Sequence, residues 1–277
     1  MSLFRRAIHA VYILPLLGRF FRTEVGADYG MGIYNKWKLL VKMFLNRSKI
    51  QAASGFPEHL FMVTEILRIP RALPGSIVEC GTYRGGSAVS FSLVCDLVGR
   101  KLDIFDSFSG LPRPSTTDAA HCVAALQEVH TYSEGAWCGS LEEVRGNIGH
   151  HGRLDACCFH PGFFADTLPD FNQRCVFVFC DVDLRESLET CLRYLWPLLQ
   201  DGCCFFTHEA HHMEIASLFF DSGWWGARFQ CLAPGLIGGG SGIGLSFLRV
   251  GFFGSALGYA VKNVEARGLA IQPQVGL

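Results

Sequence analysis

The sequence holds no C-x-x-C pair among its 12 cysteines, which excludes a zinc ribbon or a thioredoxin-type site. Basic residues are in no excess. Twenty-four Lys and Arg face 25 Asp and Glu, so nothing is left over to neutralise a phosphate backbone, and a nucleic-acid partner is not expected. A membrane-spanning run is also missing. The most apolar N-terminal stretch, Ala7 to Gly18, falls short of the roughly 20 residues a bilayer needs and is interrupted by Pro15 and then Arg19. Arg5 and Arg6 give that stretch the layout of a signal peptide, but no A-x-A-like cleavage site follows. It reads either as a helix packed on the domain or as an amphipathic segment resting on a membrane surface. The packed reading is preferred, because apolar helix faces usually serve the core.

What is present is a chain of 277 residues, 49% hydrophobic and 18% charged, enough to bury a sizeable core. The adjacent pairs Cys157-Cys158 and Cys203-Cys204 sit in apolar runs, where free cysteine behaves as a small hydrophobe. That usage points to a reducing, cytoplasmic setting. Strand and helix patterns alternate. Ser76–Cys80, Leu102–Phe105, Ala156–His160, Cys175–Cys180 and Cys203–Phe206 read as strands, and Leu245–Val250 as a late one. Ala88–Val98, Leu141–Ile148 and Arg185–Leu199 read as the helices between them. The expected fold is α/β, a doubly wound, mostly parallel sheet over residues 71–277, preceded by an N-terminal helical cap over residues 1–70.

In such sheets ligands bind beyond the carboxyl ends of the strands. After the first strand, Gly81 permits a tight turn, and Gly85 and Gly86 let a ligand approach the backbone at a helix N-terminus. The glycines match neither a dinucleotide fingerprint nor a P-loop, and a plain structural turn would also explain them. Glu79, at the strand end, suits a cationic ligand better than a pyrophosphate. Asp106 follows about 25 residues beyond Gly81, a separation at which an acid accepts bonds from ribose hydroxyls. The same residue could simply open an Asx-turn with Ser107.

Five strings occur in order: ECGTYRGGS (79–87), DIFDSFSGLP (103–112), GSLEEVR (139–145), PGFFADTLP (161–169) and DVDLRES (181–187). Together they resemble the macrocin O-methyltransferase family, class I Rossmann-like enzymes that use S-adenosylmethionine, over roughly residues 45 to 250. The resemblance implies that Gly81, Gly85, Gly86 and Ser87 surround the methionine portion and that Asp106 holds the ribose. It implies that Ser107, Phe108, Ser140, Gly162 and Phe163 line the adenine pocket. A sulfonium donor agrees with a cation near Glu79. The implied function is O-methylation of a small hydroxylated acceptor, a sugar or secondary metabolite, by an enzyme that forms a homo-oligomer. The alternative is a degenerate methyltransferase fold that binds the nucleoside as an interaction module.

In the family, the first acid of the D-x-D beginning at Asp181 and an Asp-Asp pair after the next strand ligate magnesium. Here His208-Glu209 stands in place of that pair. Asp181, which the resemblance also places at the cofactor, would then join His208 and Glu209 on a divalent ion. Such a set favours a transition metal over magnesium. The other route is metal-free, with His208 as general base. A satisfied structural histidine is the third reading. His208-Glu-Ala-His-His212 also spells H-E-x-x-H, but the apolar run before it puts His208 at a strand end, not on a helix as a zinc protease requires. His211 and His212 would begin the next helix, facing either the acceptor or open surface.

Overall fold

The computed structural model describes residues 13–123, 128–240, 242–243 and 255–263. Residues 13–20 are helical, followed by α1 (Ile33–Asn46) and α2 (Phe56–Arg68). Then come β1 (Ser76–Cys80), α3 (Gly86–Val98), β2 (Leu102–Asp106), β3 (Ala120–Val123), β4 (Glu128–Thr131), α4 (Leu141–His151) and β5 (Cys157–Pro161). The chain continues through α5 (Phe164–Thr167), β6 (Cys175–Cys180), α6 (Arg185–Leu198), β7 (Leu199–Thr207), α7 (Met213–Ala216), α8 (Ser222–Phe229) and β8 (Gly258–Val261).

Six strands form one sheet in the order β5-β2-β1-β6-β7-β8. Every pairing is parallel except β7 with β8. The chain runs outward from β1 to β2 and β5, then returns to β6 on the other side of β1. That reversal makes the β1/β6 boundary the switch point where a crevice opens.

The centre of the sheet is apolar on both faces, as parallel strands under helices must be. All six residues of β6 are buried. On one face Phe177 and Phe179 meet Phe91 of α3, with ring centroids 5.7 and 5.6 Å apart. On the other face Cys180 lies beside Cys191 of α6. Beyond β7 the core is closed by Trp196 and Trp225, edge to face at 4.8 Å.

Two elements escape the hydrophobic pattern. In the antiparallel pair β3/β4, β4 is largely exposed and β3 buries a histidine beside Val123, so the pair offers no apolar alternation to read. β8 is four residues long and sits at the antiparallel edge. The expected strand Leu245–Val250 lies outside the described residues.

The N-terminal segment is tied to the core within its described part. Phe20 is fully buried, and Arg19 Nη2 donates to Glu65 Oε1 of α2 at 2.6 Å. On α1 the residues Ile33, Tyr34, Trp37, Val41, Phe44 and Leu45 remain exposed. No helix among the described residues is long and apolar enough to cross a membrane.

Because Phe20 fills the core, Phe20→Ala should lower unfolding free energy by about 3–5 kcal/mol in urea denaturation. An unchanged midpoint would show that the segment rests on the surface instead.

Candidate active site

The switch point is built by close backbone approach. Gly81 has φ +80°, and a Cβ there would lie 1.9 Å from the carbonyl oxygen of Asp181. Only glycine allows the β1–α3 turn to lie against the end of β6, where Asp181 N donates to Cys80 O at 2.9 Å. One strand further out, Asp106 joins two loops. Its Oδ2 accepts from Thr82 N and its Oδ1 from Phe108 N, both at 2.7 Å. The Asx-turn is therefore real, and the same carboxylate still faces the cleft. Burial outweighs these donors and holds the Asp106 carboxyl above its usual range.

The cleft encloses about 760 Å³, the size of a small-molecule site. Gly81, Asp106, Ser107, Phe163, Asp181, His208 and Glu209 line it. Other sequence-derived residues stand behind its wall. Gly85 caps α3, and Gly86 is its first residue. Ser140 caps α4 by accepting from Glu143 N at 3.1 Å. Gly162 N donates to Asp106 O at 2.9 Å. Phe108 packs against Phe159, with centroids 6.4 Å apart. Glu79 lies fully buried beneath the turn, where the Ser87 hydroxyl donates to Oε1 and Oε2 has no partner. Burial, reinforced by the charges of Asp181 and Asp106, pushes the Glu79 carboxyl well up despite Ser87.

At the ends of β6 and β7, His208 is held between two carboxylates. Its Nδ1 lies 3.4 Å from Asp181 Oδ1, and its Nε2 lies 3.2 Å from Glu58 Oε2. Burial opposes a charge on this ring, yet the two acids overcome it and raise His208 well above the ordinary histidine value. Glu58 comes from the first turn of α2 and also accepts from Gly55 N at 2.7 Å and Ser255 Oγ at 2.6 Å. Burial alone would raise its carboxyl, but His208 and these donors hold it at about 2. Both ring nitrogens of His208 thus face carboxylates, an arrangement that favours the charged ring.

Asp181, His208 and Glu209 do not converge on a shared cation. Glu209 turns inward, its Oε1 accepting from Val182 N at 2.8 Å and Asp183 N at 3.1 Å and its Oε2 from Thr207 Oγ1. Burial, with the nearby Asp181 charge, brings its carboxyl up to about 7. These oxygens serve the backbone of the 181–183 loop, so the expected metal set does not fit as it stands. The loop instead presents Asp183, at φ +58°, to the cleft. Burial first, then the Asp181 and Glu209 charges, raise the Asp183 carboxyl well above its normal range.

Sequence reasoning did not assign roles to Glu58, Asp183, His130 or Tyr132, whereas His211 and His212, left between the acceptor and open surface, line the cleft. Gly55-Phe-Pro-Glu58 announces a helix start, with proline early and an acid at the third position, but not that the acid meets a histidine 150 residues away. His208-Glu-Ala-His-His212 is not a helical zinc motif. β7 ends at Thr207, and His212 itself caps α7. Burial and the neighbouring histidines push His211 down to about 4 and His212 to about 2.

The model of the macrocin O-methyltransferase family matches residues 62–215, which contain most of this site. The chain belongs to that family. A 4′-O-methyltransferase from Streptomyces olivaceus, named for a rhamnosyl tetracenomycin C, is 36% identical over 135 residues, covering 47% of this chain and 51% of the relative. Demethyldecarbamoylnovobiocin O-methyltransferase from Streptomyces niveus is 31% identical over 135 residues, 47% of this chain and 50% of the relative. The matches span about half the length of those relatives. Among solved structures the O-methyltransferase NovP superposes with TM-score 0.53 at 20% identity, covering 80% of each chain, and shares the fold.

The His208 clamp has a calculable pH signature. Glu58, lowered from 4.5, contributes fully above 4.5 and loses its contribution as pH falls towards about 2. His208, raised from 6.5, contributes fully below 6.5 and loses its contribution as pH rises through its elevated value. Glu58→Gln should therefore destabilise most between pH 4.5 and 6.5, by about 3 kcal/mol for a broken buried pair. Urea denaturation across pH checks this. A difference that does not vary with pH would contradict the charged clamp.

Proposed function

We propose that the protein is an S-adenosylmethionine-dependent O-methyltransferase acting on a hydroxyl of a sugar or secondary metabolite. The observation that carries the reading is the meeting of Gly81, Asp106, Asp181 and Asp183 on one cleft at the switch point, in a chain of the macrocin family. The two relatives support the acceptor class, since both are named as O-methyltransferases and one for a rhamnosyl compound.

The residues fit the cofactor. Gly81 keeps the turn clear of a Cβ, and Glu79 keeps one buried oxygen unpartnered beneath it. Asp106 accepts from Thr82 N and Phe108 N, with the Tyr83 backbone also donating to it, and a carboxylate has about four acceptor sites, which leaves capacity for a ribose hydroxyl. When bound, the cofactor supplies an electrophilic methyl group on a sulfonium. The chain's own contribution is to orient the acceptor oxygen in line with that group and to manage its proton.

Asp183 is the residue placed to take the proton. Its carboxyl faces the cleft, and burial there raises its affinity for a proton. His208, held between Asp181 and Glu58, fixes the end of β6 that carries the 181–183 loop. Glu209 holds the 181–183 backbone that aims Asp183. The alternative of a binding module without activity rests on the replaced Asp-Asp pair alone, and both named relatives are O-methyltransferases. All twelve cysteines are unpaired, which accords with a reducing, cytoplasmic setting.

Calorimetry with S-adenosylhomocysteine tests the cofactor, and turnover of hydroxylated glycosides tests the chemistry. Asp106→Ala should weaken cofactor binding by about 1–3 kcal/mol, the loss of a charge-assisted hydrogen bond. Asp183→Asn should keep that affinity and lower kcat by roughly 10²–10⁴. In the wild type, activity should fall on the acid side as Asp183 gains its proton. No binding by the wild type would end the assignment, and near-normal turnover by Asp183→Asn would end its role as base.

A further inference from the structure

We propose that His130, His211 and His212 form a transition-metal site of the zinc class on the wall of the cleft, separate from the acidic edge at Asp181. One ring nitrogen from each lies within 4.8 Å of the others. His212 Nε2 and His130 Nδ1 are already 3.0 Å apart. Nitrogens about 2.0–2.1 Å from a tetrahedral zinc sit about 3.4 Å from one another, so small ring rotations close the set. All three histidines line the cleft, and a fourth position would open into it.

The scaffold is held from several sides. His130 projects from β4, and the paired strand β3 bridges to the other arm through Val123 and His212. Cys122 N donates to Glu214 Oε2 at 2.9 Å, and Ala210 N to Ala256 O at 2.9 Å. The Nδ1 atoms of His211 and His212 are buried without hydrogen-bond partners. An all-imidazole set with no carboxylate selects zinc, cobalt, nickel or copper over magnesium. His211 and His212, two letters of the H-E-x-x-H string, thus meet a third histidine from the hairpin instead of His208.

The site stands independently of methyl transfer, so its test reads metal alone. The full chain, stripped with chelator, is titrated with Co²⁺ and followed by visible absorption, with Zn²⁺ as competitor. One Co²⁺ per chain is expected, with four- or five-coordinate bands, no thiolate charge-transfer band and displacement by Zn²⁺. His130→Ala and His211→Ala should each weaken binding on the order of 100-fold, while Asp181→Asn should leave it unchanged. The proposal is overturned by an absence of saturable binding, by thiolate bands marking the cysteines as ligands, or by affinity that survives both histidine variants. Loss of binding in Asp181→Asn would move the ion to the acidic edge and overturn it equally.

Discussion

The cleft depends on one interaction, the ring of His208 caught between Asp181 and Glu58. Asp181 ends β6, His208 follows β7, and Glu58 opens α2, so a single charged ring binds the N-terminal helical layer to the carboxyl edge of the sheet. Glu58 extends the tie by accepting from Ser255 and Ala256, just ahead of β8. A lone buried charge would be costly. Two carboxylates on opposite sides of the ring, with further donors on Glu58, make this one tolerable. The arrangement also orients the ring, because each of its nitrogens faces a carboxylate.

The second constraint is steric. At Gly81 the turn after β1 lies so close to Asp181 that no side chain can stand between them. Asp106 then stitches that turn to the loop after β2 through backbone N–H groups. The result is a rim in which Asp106 at the end of β2 and Asp181 and Asp183 after β6 face one space. Burial keeps their protons unusually tightly held at Asp106 and Asp183. A site rich in raised carboxyls suits a cationic ligand, whose arrival favours their ionised forms.

The central sheet was legible because parallel strands buried on both faces leave continuous apolar runs, and Cys175–Cys180 was read to the residue. Gly81, Asp106 and Asp181 were legible because strand ends in such sheets aim at the ligand. What stayed hidden needs contacts across the chain. Glu58 reads as a helix cap and becomes a His208 partner only through folding. Glu209 stands in a ligand position of the family, yet its oxygens satisfy the N–H groups of Val182 and Asp183, a choice that adjacency to His208 does not reveal. His130 lies on an exposed hairpin with no periodic signal, far in sequence from the histidines it joins.

The claim that His208 is a fixed cation is tested most directly by histidine-selective ¹⁵N NMR of the free protein, with the ring assigned through His208→Gln. The account predicts both ring nitrogens protonated at neutral pH, with titration only well above the ordinary 6.5. A His208 ring that is neutral at pH 7, with one nitrogen carrying a free lone pair, would contradict it and restore His208 as the base.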